Sequence, residues 1–426
     1  MEVRPGYKET EVGAIPEEWR VETIQQLLDE GLILDHLDGN HGELYPRSHE
    51  FKSHGVPYIG ANDFANGDVT FDHCKFLAPE RAGQFRKGVA KDGDVLFAHN
   101  ATVGPVALLR TEEPFVILST TATYFRCDLD KLNNSYLNAA LQSQHFVRQY
   151  QAVMAQSTRF QVPITTQRKL SLVIAPLPEQ GAIATVLSDV DALLGGLDRL
   201  IAKKRDLKQA TMQQLLSGQT RLPGFNGEWE TLPARDIGVF KGGSGFPLAA
   251  QGEAGGEYPF FKVSDMNNEG NETVMTTANH YVSEHARKRL GATAFPADSI
   301  VFAKVGAAVF LERKKILGQA SCIDNNMAAF VLNKSRAEVG YVHALLLSKK
   351  LGALVATTAL PALNAKQFGG MPLAIPPLPE QRAIAVVLSD MDAELSALEA
   401  RRDKTRALKQ AMMQELLTGR TRLANG

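Results

Sequence analysis

The sequence predicts an α+β protein with two globular domains joined by two long antiparallel coiled-coil helices under pseudo-two-fold symmetry. Three observations carry this. A block of 47 residues occurs twice, each copy has helical periodicity throughout, and each is preceded by a divergent block of short β-rich runs. Looking for internal repeats comes first, because a missed duplication misassigns the whole fold. Pro176–Leu222 recurs as Pro377–Leu423 without a gap at an offset of 201, with 30 of 47 positions identical.

The constant blocks read as helices. Pro178 and Pro379 sit where a first turn tolerates proline, and Glu179 and Glu380 suit the positive end of the helix dipole. Apolar residues recur three or four apart at Ile183, Val186, Val190, Leu194, Leu197, Ile201, Leu207 and Leu215. Their equivalents are Ile384, Val387, Met391, Leu395, Leu398, Leu408, Met412 and Leu416. Lys204 and Arg402 interrupt this seam, and Gly218 and Gly419 are natural C-caps. About 40 residues at ~1.5 Å each make a rod of roughly 60 Å, which needs a partner for its apolar stripe. The other copy supplies one.

The variable blocks carry short β-rich runs: Val56–Ile59, Asp94–Ala98, Phe115–Leu118 and Ala122–Cys127 in the first, and Phe260–Val263, Ser299–Ala303 and Ala328–Leu332 in the second. Each then has one helical stretch, Ser135–Met154 and Arg336–Thr357. A weaker echo links them. Trp19 matches Trp229, VPYIGANDF (Val56–Phe64) matches YPFFKVSDM (Tyr258–Met266), and GDVLFAH (Gly93–His99) matches DSIVFAK (Asp298–Lys304). The predicted organisation is a domain over 1–175, a helical spacer over 176–222, a domain over 223–376 and a spacer over 377–426. The order is circular: the first RTRL runs into PGFNGEW, while the second nearly ends the chain and its matching GAIPEEW stands at the N-terminus. The N-terminal segment is therefore expected to pack where the second helix ends.

Composition excludes several classes. Apolar residues at 44% and charged residues at 22% over 426 positions suit a soluble folded chain of two or three domains. The longest nearly uncharged apolar stretches, near Ser171–Pro178 and Met371–Pro379, fall short of the ~18–20 residues of a membrane span. The N-terminus lacks the apolar core of a secretory signal. Cys74, Cys127 and Cys322 are scattered, so neither a disulfide framework nor a zinc knuckle is expected, and a cytoplasmic location is the default. Lys plus Arg is 46 against 47 for Asp plus Glu. A free-standing nucleic-acid binder is more often basic, so any such binding needs local basic patches and help from a partner.

No catalytic constellation is present. KGGSGFP (Lys241–Pro247) lacks the spacing of a phosphate-cradling loop and reads as a turn. H-E-x-x-H, G-x-S-x-G and H-x-E with P-C-x-x-C do not occur, nor does the Asn/Asp-Pro-Pro-aromatic tetrapeptide of adenine methyltransferases. His36, His41, His49, His54 and His73 lack metal-ligand spacing on a helix and read as exposed loop residues. The chain is not expected to be an enzyme or to bind a metal.

The tandem P-L-P-E-Q-x-A-I-A-x-V-L-S-D-x-D helices, between divergent domains each opened by an E-W segment, closely resemble the specificity (S) subunit of type I restriction–modification systems. The resemblance covers the whole chain. The helix motif is highly specific, and PYIGANDF and GGSGFP are looser signatures. It implies two target recognition domains, each reading half of a split, asymmetric site in double-stranded DNA. It also implies that the helices space the domains and dock two methyltransferase (M) subunits. No cofactor is expected on this chain; the M subunits would bring S-adenosylmethionine and methylate adenine N6, and restriction (R) subunits would add ATP- and Mg-dependent cleavage. A rod of roughly 60 Å spans about 18 base pairs, an upper bound on half-site separation. Two unlike heads imply two unlike half-sites.

Candidate DNA contacts are polar side chains for base edges and basic ones for phosphates. In the first domain they are Asn62, Asp63, Asn66, Arg86, Lys87 and His99, with Ser157, Thr158 and Arg159 before the first long helix. In the second they are Lys262, Ser264, Asp265, Asn267, Arg287, Lys288, Arg289 and Lys304, with Lys366 and Gln367 before the second helix. An Asn or Asp after a strand more often makes a turn, and an Arg/Lys run more often faces solvent. Lys203, Lys204, Arg205 and Lys208, with Arg401, Arg402, Lys404, Arg406 and Lys409, face DNA, acidic patches on M, or solvent alone. Two other classes compete: an enzyme fused in one chain, which would bind S-adenosylmethionine by itself, and a scaffold whose heads bind polypeptide, which salt-sensitive DNA binding would exclude.

Overall fold

The repeated 47-residue blocks form two long helices, Leu177–Ser217 and Leu378–Leu416. In this computed structural model, residues 4–65, 67–156, 159–355 and 361–423 are described. The chain divides into two units, Met1–Arg199 with Glu399–Gly426, and Leu200–Leu398. Each long helix contributes one part to each unit, so each unit contains its own stretch of antiparallel helix pair.

In the first unit a six-stranded sheet runs in the order Ile33–Asp38, Ala122–Cys127, Val95–Asn100, Thr102–Leu108, Asp68–Val69, Phe64–Ala65. It is antiparallel except where Leu108 pairs with Asp68. A second sheet runs Val89–Ala90, Val116–Leu118, Val56–Ile59, Lys75–Leu77, Phe51–Lys52. The second unit repeats this arrangement with shorter edges. Its five-stranded sheet is Gly238–Gly242, Met327–Leu332, Ile300–Ala303, Lys314–Leu317, Val274–Met275, beside a three-stranded sheet of Tyr281–Val282, Tyr258–Phe261 and Cys322–Ile323. Every predicted β-rich run holds a strand at or within three residues of its predicted ends. The helical stretches differ. Ser135–Met154 is two helices, Asn134–Ala140 and Gln144–Ala155, because the Ser143 hydroxyl caps the second by accepting from Phe146 N. Arg336–Thr357 holds the helix Val339–Leu347 and a 3₁₀ turn, Leu351–Leu354, tied by Leu351 N and Gly352 N donating to Glu312.

The P-E-Q of each repeat fastens helix to domain. Gln180 accepts from Asn133 N (2.9 Å) and donates to Ala175 O (2.8 Å); Gln381 accepts from Glu338 N (2.8 Å) and donates to Pro376 O (2.8 Å). Both glutamines are at or below 1% exposure. Glu179 is held by Arg422 and by Trp19 Nε1, while Glu380 is held by Arg221 Nε (2.5 Å) and Trp229 Nε1 (3.2 Å). Gly419 and Gly218 cap the helices with φ of +67° and +71°, which lets the chain turn back under the Trp ring. Tyr7 donates to Gly419 O (2.8 Å), so the N-terminal segment does pack where the second helix ends.

The helix seam departs from the sequence pattern at two equivalent positions. Leu207 and Leu408 are 51% and 56% exposed. They stand six and ten residues after Ile201 and Leu398, out of step with a period of three and four. The positions that keep step are Lys208 and Lys409, both half-buried. In the second unit Lys208 pairs with Asp392 and Lys204 with Glu394 (2.6 Å); in the first, Lys409 pairs with Asp191 (2.6 Å) and Arg402 lies 3.8 Å from Asp198. These cations are thus engaged within the helix pair, and their alkyl stems cover the seam while the charged ends reach carboxylates at its rim.

Among the described residues, no helix is long and apolar enough to cross a membrane, and no group of three or more His, Cys, Asp or Glu could hold a metal ion. The histidine reading needs correction. His49, His54 and His73 are exposed, but His36 and His41 are 1% and 9% exposed. His36 stacks on Phe125 at 4.2 Å and donates from Nε2 to Gln167 Oε1 (3.1 Å).

Candidate nucleic-acid interface

One edge of each unit gathers loops that are far apart in sequence. In the first unit, Gly39 N donates to Ala122 O (3.1 Å), Ser119 N to Ile59 O (2.7 Å), His99 N to Thr121 O (2.9 Å), Val162 N to His99 O (2.8 Å) and Ala101 N to Phe160 O (3.1 Å). In the second, Gly243 N donates to Met327 O (3.0 Å), Asp324 N to Phe261 O (2.9 Å), Lys304 N to Asn326 O (2.8 Å), Leu363 N to Lys304 O (2.8 Å) and Gly306 N to Pro361 O (2.8 Å). These are the same five bonds made from equivalent positions. The main chain is a common frame.

Two glycines are obligatory for it. A Cβ on Gly39 would fall 2.1 Å from Ser119 O, and one on Gly243 would fall 2.0 Å from Asp324 O. Gly39→Ala and Gly243→Ala are therefore expected to displace the frame and destabilise their units by about 1–3 kcal/mol. Gly245→Ala, where a Cβ meets nothing within 4 Å, should leave the melting temperature unchanged. Thermal melts of the three variants check this. Gly243 and Gly245 lie in the KGGSGFP segment, which the sequence reads as a turn; its first two residues instead close the strand Gly238–Gly242, and Ser244 makes an isolated parallel bridge to Asp324 because Ser244 N donates to Ile323 O.

The side chains on this frame differ between the units. The first presents Asn40, Asn62, Asn100, Thr120 and Gln161; the equivalent loops of the second present Ser244, Ser264, Lys304, Asn325 and Asn326. Asn40, Asn62, Ser264, Asn325 and Asn326 are exposed. Amide and hydroxyl groups combine donors and acceptors, the equipment that base edges in the major groove require.

Of the residues the sequence offered, Asn62, Ser264 and Asn267 are exposed on this edge, and Lys304 is half-buried over Gly242. Asp63 and Asp265 are turn residues: each accepts, at 2.7 Å, from the main-chain N–H three residues before it, at Gly60 and Lys262. Asp265 is fully buried and so is not placed to meet a base; Asp63 is half-buried, and burial pushes its carboxyl up. His99 is 7% exposed, donates from Nδ1 to Val162 O (3.2 Å) and is held below the usual histidine range by burial. Arg287 is engaged by Glu284 and Ala292 O, which fixes it against its own helix. Lys262 donates to Gln251 (3.1 Å) and Gln367 caps its own short helix through Asn364. Arg86, Lys87, Arg159, Lys288, Arg289 and Lys366 are exposed. Asn66, Ser157 and Thr158 lie outside the described residues. The sequence reading did not single out Asn40, Asn100, Gln161, Asn325 or Asn326. The signal available for Asn100 was its place between two β-rich runs, where a hairpin exposes its turn, and Asp324-Asn325-Asn326 likewise stand just before a β-rich run, in the link between strands of two different sheets.

Beneath the edge the two units diverge again. In the first, Thr123 Oγ1 donates to Gln167 Oε1 (3.0 Å) beside His36, and Gln167 Nε2 donates to Val162 O (2.8 Å). In the second, the corresponding positions are Ala328, Phe368 and Phe240. The Phe368 ring lies 5.3 Å from Phe240, 5.0 Å from Phe302 and 4.9 Å from Phe330.

The family model for the type I restriction modification DNA specificity domain matches residues 16–202 and again 226–406. The chain belongs to this family. Each match covers most of one variable block and most of the long helix after it, so the family's domain is present twice. The chain is 22% identical over 437 residues to a protein assigned as the MjaX type I restriction enzyme specificity subunit of Methanocaldococcus jannaschii, covering 98% of this chain and 97% of that one. It is 21% identical over 224 residues, about half of each chain, to the MjaVIII specificity subunit of the same organism. Among solved structures it resembles the type I restriction–modification S subunit of M. genitalium, with a TM-score of 0.57, 15% identity and 98% of each chain covered. It also resembles a chain of a type I R-M system solved for its complex assembly and conformational transition, with a TM-score of 0.56, 17% identity and coverage of 96% and 99%. These likenesses show a shared fold across both units. Membership makes the chain a type I specificity subunit, for which a DNA-recognition role follows.

Proposed function

We propose that each unit reads one half of a split, asymmetric sequence in double-stranded DNA through its loop edge, and that the long helices dock two methyltransferase subunits. The observation that carries this reading is the common main-chain frame bearing unlike side chains: the same five hydrogen bonds hold both edges, while amides dominate one and Lys304, Ser264 and two asparagines the other. A fixed frame with exchanged side chains suits two readers of different sequence. The docking half rests on Leu207 and Leu408, equivalent leucines exposed on the helices, one in each unit. A pair of equal apolar points suits two copies of one partner. In this reading S-adenosylmethionine and adenine N6 methylation belong to those partners, and ATP, Mg²⁺ and cleavage to restriction subunits. No residue of this chain is assigned to either cofactor, and the assembled complex works in the cytoplasm.

The test is co-expression with a cognate methyltransferase subunit, followed by methylome sequencing. The expected result is methyladenine confined to one split motif and lost when this chain is deleted. Asn100→Ala with Gln161→Ala should relax one half-site only, and Asn325→Ala with Asn326→Ala the other. Each lost base contact weakens discrimination by about 1–3 kcal/mol. A motif that survives deletion of the chain would overturn the reading and favour heads that bind polypeptide.

A further inference from the structure

Resting on that reading, we infer that each unit carries one apolar side chain that inserts into the base stack of its half-site: Phe160 in the first unit and Leu248 in the second. Among the described residues, these are the two most exposed large hydrophobic side chains, at 76% and 84%. Exposed apolar residues scattered singly are common and need no explanation. What requires one here is their distribution, one in each unit and both at the loop edge.

Phe160 is held firmly beside the edge. Its carbonyl accepts from Ala101 N at the tip of the Val95–Asn100/Thr102–Leu108 hairpin, Gln161 bridges Asn100, and Val162 is fully buried. The main chain is thus fixed at and after a ring that itself packs on little. Ala101 adopts φ +63°, a left-handed value that an alanine reaches only under constraint, so the hairpin tip is also shaped tightly. Leu248 opens the 3₁₀ turn Leu248–Ala250, which follows the Gly243–Pro247 segment of the second edge. Gln251, just after it, donates to Phe246 O (2.8 Å) and accepts from Lys262, so the turn is tied to the strand loop that carries Ser264.

A rigidly carried Phe or Leu at a polar DNA-facing edge matches the chemistry of insertion. Polar neighbours fix the register, and the apolar group enters a base step, unstacks it and kinks the duplex. The alternative, contact with a thymine methyl in the major groove, leaves the stack intact. The sequence positions differ between the units, since Pro361, not Leu248, is the counterpart of Phe160. The two kinks are accordingly expected at different places within the half-sites.

The experiment uses the complex with its methyltransferase subunits and duplexes carrying the motif from the methylome, with 2-aminopurine placed at successive positions. The wild-type complex should raise 2-aminopurine fluorescence at one step in each half-site. Phe160→Ala should abolish the rise in one half-site only and weaken binding about tenfold, and Phe160→Trp should restore both. Leu248→Ala should act only on the other half-site. Wild-type fluorescence unchanged at every position would overturn the inference, and so would a Phe160→Ala loss that equals the loss from replacing thymine by uracil. A Phe160→Ala variant that fails to assemble with the methyltransferase while the isolated chain stays folded would also overturn it, by making the residue a protein contact. Absence of any split motif would instead remove the reading of the edges themselves, a distinguishable failure.

Discussion

Replacing Trp19 by alanine lowers the stability of the first unit by about 3–5 kcal/mol, the range for deleting a large aromatic from a packed core. Trp19 is fully buried among Pro16, Gly419 and the Glu179–Arg422 pair, and its Nε1 donates to Glu179 Oε1 (3.4 Å). Its loss leaves a cavity and removes one donor from a carboxylate that is only 5% exposed. The equivalent Trp229→Ala should be milder, because Trp229 is only partly buried although it donates to Glu380 at 3.2 Å. Denaturant unfolding followed by hydrogen exchange in each unit checks both changes. Equal losses in the two units would show that the junctions do not differ in the way their burial indicates.

Acid should unfold the first unit before the second. Burial pushes the His36 imidazole down to about 3, well below its ordinary value of 6.5. Such a group is neutral when folded and binds a proton more readily when unfolded, so the stability it lends is present above about pH 6.5 and is lost as pH falls toward 3. At pH 5 the loss from His36 alone is about 2 kcal/mol. His41, His99 and His145 are also lowered, chiefly by burial, and act with the same sign in the same unit. In the second unit burial lowers His343 with the same sign. His36→Phe combined with Thr123→Ala and Gln167→Phe transplants the aromatic set of the second unit and should flatten the first unit's stability between pH 5 and 7. Melting curves at both pH values, with hydrogen exchange resolving the units, decide it. An acid response that survives the triple replacement would assign it to the remaining histidines.

The helices, the duplication and the circular order were legible because they rest on identity and period, which a linear pattern carries. The Leu207 and Leu408 positions misled because apolarity alone does not mark a seam. The period after Ile201 continues through Lys204 and Lys208, whose stems lie where leucine would be expected while their charges leave the core. The loop edge was only partly legible. Asn62 and Ser264 followed from strand ends, but Asn40, Asn100 and Gln161 meet through five main-chain bonds, the longest joining Gly39 to Ala122, and a single sequence does not display such closure. Asp63 and Asp265 went the other way: short polar residues after a strand satisfied their own main chain. His36 and His41 read as exposed because polarity suggests solvent, yet each found an acceptor inside.

The Trp19 junction also sets an order of events at the ribosome. The second unit, Leu200–Leu398, is one continuous stretch and is complete once that stretch has emerged. The first unit is not, because its core includes Met413, Leu416 and Leu417. After residue 199 leaves the exit tunnel, about 220 more residues must follow before Gly419 can close over Trp19. At ~5–20 residues per second this is a delay of about 10 to 45 seconds. During that interval the N-terminal half of the nascent chain carries an unfilled apolar site, a window for a holdase chaperone and a vulnerability to premature termination near the 3′ end of the message.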